Sequence, residues 1–303
     1  MLPRLAAVAA VTRYAWSVLI VNVAVILLGA LVRATGSGAG CGSSWPICKD
    51  TLIPPLEGAT AIEFTHRAAS GVALVMVGLL LLWVFRATSR GHPARTGAVL
   101  SAVAIVGEAL IGALIVAAGW VAADSSIARA VSVPAHLVNT LFLLAALTLT
   151  IFWLDGGRRL RPSRGDGITG WVIGGGLALV LIAATGAVTA LADTLFPKSG
   201  DVSSVEHFLT RLRVVHPLLA LTAASIAWWL SARAGRTPST AAKAMVVLIG
   251  LMLLSGAVNV ALGVPVWMQL VHLGLADALW IAYVFVSARA LEEAPEPRSA
   301  VVR

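Results

Sequence analysis

Glu63 and His66, within Glu63-Phe64-Thr65-His66-Arg67, are three residues apart, so on a helix they share one face. A carboxylate beside an imidazole can take up or release protons, and the imidazole can also bind a metal. Three further histidines, His136, His216 and His272, stand in comparable places near the starts of long apolar runs. A lone histidine in a membrane helix often does no more than hydrogen-bond to a neighbouring helix. Four at matched positions favour ligation. Imidazole suits iron, and the core of a helix bundle admits a flat macrocycle, so heme is the group these residues fit.

The four settings are not chemically equal. Three residues before His66 stands Glu63, but the same offset gives Val133, Arg213 and Gln269 before His136, His216 and His272. Glu63 is either a dipole partner at a helix start or the proton-active group of the site. Arg67, Arg129, Arg211 and Arg213 lie on the same side of the chain's spans as the histidines. They are either solvated and headgroup-facing charges or partners for the propionates of a heme.

Cys41 and Cys48 are the only cysteines, within Gly40-Cys41-Gly42-Ser43-Ser44-Trp45-Pro46-Ile47-Cys48. In an oxidising compartment so short a loop permits a disulfide, as a structural staple or as a redox pair. The spacing excludes a Cys-x-x-Cys metal clip. His92 and His207 fall in loops, where surface roles are the default. Glu108 and Asp277 fall inside apolar runs, where a carboxylate must be protonated, paired or beside water. Asn22, Asn139 and Asn259 read as interhelical hydrogen-bonding residues.

The elements that must position these residues are membrane helices. Of 303 residues 59% are apolar and 12% charged, with a mean hydropathy of +0.92, far too apolar for one soluble domain. Runs near 14–34, 67–86, 97–119, 132–154, 170–192, 214–232, 241–263 and 267–290 are each long enough to cross a bilayer. The first is read as a retained span rather than a cleaved signal. The expected fold is all-α integral membrane, with eight transmembrane helices in two pseudo-repeated four-helix bundles.

Charge sets the topology. With both termini in the cytoplasm, 15 basic residues fall inside and 7 outside, as the positive-inside rule requires. The net charge of +8 then needs no nucleic acid. Trp83, Trp120, Trp153, Trp171 and Trp267 mark span ends, where indoles suit the headgroup region. The glycine- and arginine-rich stretch from Asp155 to Asp166 reads as a linker. The expected units are residues 1–155, a cytoplasmic linker at 156–169, residues 170–290 and a cytoplasmic tail at 291–303.

The halves resemble each other. Gly29-Ala30-Leu31 in the first run matches Gly186-Ala187-Val188 in the fifth, and Gly112-Ala113-Leu114 in the third matches Gly256-Ala257-Val258 in the seventh. His66 and His136 then correspond to His216 and His272. On the same alignment Glu108 corresponds to Met252.

Taken together, these segments resemble the heme A synthases of cytochrome oxidase biogenesis. The matching pieces are Gly29-Ala30-Leu31-Val32-Arg33-Ala34-Thr35-Gly36-Ser37-Gly38, the Cys41 to Cys48 loop with Trp45-Pro46, Glu63-Phe64-Thr65-His66-Arg67, His136-Leu137, His216-Pro217 and His272-Leu273. Phe64 and Lys49-Asp50 depart from the family pattern without touching a ligand. The resemblance implies oxidation of a methyl group of heme O to the formyl group of heme A by successive hydroxylations. It further implies that His216 and His272 hold heme B in the second bundle, that His66 and His136 face heme O in the first, and that Glu63 acts at the oxidation site. Expected partners are membrane lipid, a heme O synthase (protoheme farnesyltransferase) as substrate donor and the cytochrome oxidase assembly machinery, with a homo-oligomer left open. The plasma membrane is the expected location, with the cysteine loop extracytoplasmic. The rival readings are a diheme b-type electron-transfer cytochrome that modifies no heme, and a transporter or heme exporter, against which the placement of all four histidines near the outer ends of their spans argues.

Overall fold

A backbone in hydrocarbon must satisfy its own N–H and C=O groups, and a sequence with apolar runs of this length does so as helices. The computed structural model describes residues 2–122, 124–162, 167–195, 214–224 and 240–292. Its helices are α1 (Leu2–Ala34), α2 (Gly58–Ala87), α3 (Ala94–Ala117), α4 (Ile127–Leu154), α5 (Gly167–Leu195), α6 (Val214–Ala224), α7 (Thr240–Ala261) and α8 (Val266–Ala290). Seven of them, all but α6, are long and apolar enough to cross a membrane. The sixth expected span is helical over its described part, and its remainder lies outside the described residues. So do Arg211, Arg213 and His207.

Several helices begin before their expected starts: α1 at Leu2 rather than 14, α4 at Ile127 rather than 132 and α5 at Gly167 rather than 170. The second helix begins at Gly58, well before residue 67, because Thr60, Glu63 and Thr65 interrupt the apolar run without interrupting the helix. His66 therefore stands about 12 Å along α2, at about 1.5 Å per residue, rather than at its mouth. Trp153 is not an interfacial indole. It is buried at 8% exposure, and its Nε1–H donates to the Arg158 carbonyl at 3.1 Å.

Helix α1 packs on α2, α4, α5 and α8; α3 lies against α2 and α4; α7 packs on α8, and α5 on α4 and α8. The main core is built from stripes at helical spacing: Val11, Ala15 and Val18 on α1, Val77, Leu80 and Val84 on α2, and Leu144, Leu147 and Ile151 on α4. In lipid the gain from this interlocking is dispersion contact rather than escape from water. Ser126 caps α4, its hydroxyl accepting the Arg129 N–H at 3.2 Å.

The linker stretch is tied to the end of α8. The Arg158 N–H donates to Glu292 Oε1 at 2.7 Å, and the Arg161 N–H donates to the Leu291 carbonyl at 2.8 Å. Gly157 permits the turn, since a Cβ there would come within 2.4 Å of the Phe152 ring.

Candidate functional site

Each of the four histidines lies against a glycine of the preceding helix. A Cβ on Gly29 of α1 would stand 2.9 Å from His66 Cε1, and one on Gly186 of α5 would stand 2.9 Å from His216 Cε1. The corresponding distances are 3.3 Å from Gly256 of α7 to His272 Cε1 and 3.8 Å from Gly112 of α3 to His136 Nε2. Only a residue without a side chain lets the rings at Gly29 and Gly186 come so close. These are the glycines that align between the two halves. Sequence comparison found them as repeat markers; their use as imidazole platforms appears only in three dimensions.

Three of the four Nδ1 atoms stand beside a polar neighbour, whereas His66 Nδ1 is buried without a hydrogen-bond partner. His216 Nδ1–H donates to the Ile182 carbonyl at 3.1 Å. His272 Nδ1 shares a hydrogen bond of 2.8 Å with the Ser255 hydroxyl, and His136 Nδ1 lies 2.8 Å from Glu108 Oε2. Where Nδ1 is hydrogen-bonded, as in His216 and His272, Nε2 is the nitrogen left for a metal. His66 lies within the electrostatic reach of His136, and His272 within that of His216. Those charge interactions link His66 of α2 with His136 of α4, and His216 of α6 with His272 of α8. Two imidazoles seated on glycine platforms with their Nδ1 atoms occupied fit the requirements of a heme held through Nε2.

Glu63 is 3% exposed and fully engaged. Its Oε1 accepts from Arg67 Nη2 at 2.6 Å and Nε at 3.1 Å, and its Oε2 accepts the Cys41 N–H at 2.8 Å. Arg67 continues to the carbonyls of Ser44 and Ile47. Cys41 and Cys48 form a disulfide, and both are fully buried. Gly40 lies flat on α2, where a Cβ would meet the Ala59 carbonyl at 2.4 Å, and Thr60 and Lys49 add hydrogen bonds of 2.8 Å. The cysteine loop is therefore clamped onto the turn of α2 that precedes His66.

Arg67 and Arg129, named as propionate partners, already have protein partners. Arg129 is 4% exposed and donates through Nη1 to the carbonyls of Ala122 and Asp124, while its Nε has no protein partner. Asn139 bridges helices as expected, donating to the Ala104 carbonyl at 2.9 Å and to Glu108 at 2.6 Å. Asn22 instead donates within α1, to the Val18 carbonyl at 2.8 Å. Asp277 is 1% exposed, and neither carboxyl oxygen has a hydrogen-bond partner.

Sequence reasoning gave Arg33, one of the seven outside charges and part of the Gly29–Gly38 motif, no role of its own. In the structure its Nη1 donates to the Ala190 carbonyl at 2.7 Å and Thr194 Oγ1 at 2.9 Å, and its Nη2 donates to Gln269 Oε1 at 2.8 Å. One side chain, four residues beyond the platform glycine Gly29, binds α1 to α5 and to α8 just before His272. No spacing signal announces a contact between residues so far apart in the chain.

A multi-helix membrane protein with paired histidines on glycine platforms is the class defined by this arrangement. Comparison with known proteins makes it specific: the profile of the cytochrome oxidase assembly protein family matches residues 12–284, and the chain belongs to that family. A Thermus thermophilus protein named protoheme IX farnesyltransferase is 49% identical over 293 residues, which cover 92% of this chain and 48% of that protein. Heme A synthase of Bacillus licheniformis is 36% identical over 131 residues, 43% of this chain and 42% of its own. Heme A synthase of Geobacillus kaustophilus is 39% identical over 135 residues, 43% and 40% of the two chains. The chain spans about half the length, or less, of the curated relatives it matches. The resemblance to heme A synthases read from the motifs stands.

Proposed function

We propose that the protein is a heme A synthase, oxidising the methyl group of heme O to the formyl group of heme A for cytochrome oxidase assembly. Two successive hydroxylations of that carbon give a geminal diol, which loses water. The observation that carries the reading is the set of four glycine–histidine pairs, grouped two and two, in a chain of this family.

The two pairs divide the work. His216 and His272, whose neutral partners are a carbonyl and a hydroxyl, would hold heme B. A heme ligated by histidine on both faces passes electrons and leaves no open iron position. His66 and His136 would receive heme O, close to the carboxylates Glu63 and Glu108. Glu63, on the helix face of His66, is the group assigned to proton movement at the oxidised carbon. Arg67 and the Cys41 amide hold its carboxylate in place. Residues 1–155 form the substrate bundle and residues 170–290 the cofactor bundle.

The basic-residue bias supports cytoplasmic termini, with the disulfide loop on the extracytoplasmic side of the plasma membrane. A protoheme farnesyltransferase is the proposed donor of heme O, since a protein of that name contains a segment 49% identical to this chain in about half its length. The near-equivalence of the four glycine–histidine pairs favours, as a second reading, a diheme cytochrome with permanent heme in both halves.

Mass identification of pigments extracted from protein made in heme O-producing cells separates the readings. Heme A or a hydroxylated precursor in wild type, lost in Glu63→Ala, supports the synthase. Two equivalents of heme B in both proteins support the cytochrome.

A further inference from the structure

A charged carboxylate inside a membrane helix is costly, and Glu108 sits midway along α3. Its surroundings are built to hold it. Oε2 stands 2.8 Å from His136 Nδ1, and Oε1 accepts from Asn139 Nδ2 at 2.6 Å. Asn139 is anchored in turn by the Ala104 carbonyl at 2.9 Å. It lies over Gly107, where a Cβ would come within 3.0 Å of its Oδ1. Gly107, Glu108, Asn139 and His136 thus form a connected set across α3 and α4, and Gly112 of α3 faces the same imidazole.

Among the described residues the second half has no such set. Met252 occupies the position aligned with Glu108, and Nδ1 of His272 and His216 are met by a hydroxyl and a carbonyl. A carboxylate therefore backs one histidine of the four among these contacts, and that histidine belongs to the first half.

A neutral imidazole carries one ring proton. An ionised carboxylate at this 2.8 Å distance favours that proton on Nδ1 and leaves the lone pair on Nε2. The oxygen lies out of line for a strong hydrogen bond, so its hold on the ring is electrostatic. Asn139 keeps it from turning away.

We propose that Glu108, braced by Asn139, is a positioning residue that fixes His136 in the Nδ1–H tautomer and makes its Nε2 the more electron-donating iron ligand of the substrate half. The ligand part of this statement rests on the heme reading above; the tautomer part does not. A carboxylate behind a ligating imidazole raises its basicity and stabilises the oxidised iron. Heme facing His136 is then easier to oxidise than it would be behind a neutral partner.

The test uses the full-length chain in nanodiscs with 15N-labelled histidine at one fixed pH. The Nδ1–H to Nε2–H ratio at His136 is read from the nitrogen shifts in wild type, Glu108→Gln and Glu108→Met. The methionine variant copies the second half, and the glutamine variant keeps the shape of the side chain. We expect Nδ1–H to dominate in wild type and the ratio to fall by about tenfold in both folded variants, as loss of a charged partner implies. An unchanged ratio in either folded variant overturns the proposal. In the same proteins loaded with heme O, the oxidised-to-reduced ratio at fixed poise should fall about tenfold in the variants, equivalent to about 59 mV for one electron. An unshifted potential overturns the electronic part. Heme O binding indifferent to His136→Ala overturns the heme reading and leaves the tautomer result to stand by itself.

Discussion

Gly29 and His66 are so closely packed that a single methyl group on the glycine would lie 2.9 Å from the imidazole Cε1, and Gly186 stands to His216 at the same distance. Adding that methyl must push the ring or the helix aside, a cost of about 1–3 kcal/mol for overpacking. Gly186→Ala should therefore lower heme B retention several-fold, seen as loss of the bound heme absorbance. Gly29→Ala should leave that absorbance in place and reduce turnover. Gly250 provides the control: it has open space around its Cβ direction, and Gly250→Ala should change neither property.

The Glu63–Arg67 pair is a second point of leverage. Both side chains are largely buried, at 4% and 10% exposure, and Arg67 also carries two loop carbonyls. Arg67→Ala strands a buried carboxylate and should destabilise the protein by ~3–5 kcal/mol, whereas the double variant Glu63→Ala/Arg67→Ala should cost less. Thermal unfolding measures the difference. Limited proteolysis should find the Cys41–Cys48 loop cut faster in Arg67→Ala, because its tether to α2 is lost.

Arg33 couples the halves. Arg33→Ala removes hydrogen bonds to Ala190, Thr194 and Gln269, each bond from a charged group contributing about 1.5–3 kcal/mol. We expect a lowered unfolding temperature together with weaker heme B retention, since Gln269 is one turn from His272. A stability loss that leaves heme B retention unchanged would limit Arg33 to a structural role.

Much of this was legible in the sequence, for physical reasons that also explain the rest. Long apolar runs announce membrane helices because a backbone in lipid has few other options. The start of α2 was misplaced because hydropathy cannot distinguish a helix whose first turns are polar from a loop. His66, His136, His216 and His272 stood out because imidazoles are rare in such helices, and the glycines because they repeat. What remained hidden were contacts between distant segments. Arg33 and Gln269 are separated by 236 positions, and Glu63 and Cys41 meet only because the disulfide loop folds back onto α2. Neither relationship leaves a periodic trace.

Glu292 gives a pH-dependent test of the linker. The Arg158 N–H, with help from the Arg289 guanidinium, holds its carboxyl below the ordinary value of 4.5. A carboxyl lowered by folding stabilises the native state above its unfolded pKa, and that stabilisation is lost as pH falls through the folded value. Wild type should therefore unfold at a higher temperature than Glu292→Gln at neutral pH. The gap should narrow below about pH 4.5 as Glu292 becomes protonated.

The central claim is that the two histidine pairs do different work, and pigment analysis of the full-length protein purified from heme O-producing cells tests it most directly. The wild type should yield heme B together with heme A or a hydroxylated precursor. His216→Ala and His272→Ala should lose the stably bound heme B, while His66→Ala and His136→Ala should keep it and yield no oxidised heme. Equal loss of heme B in all four variants, or heme B alone in the wild type, would contradict the account.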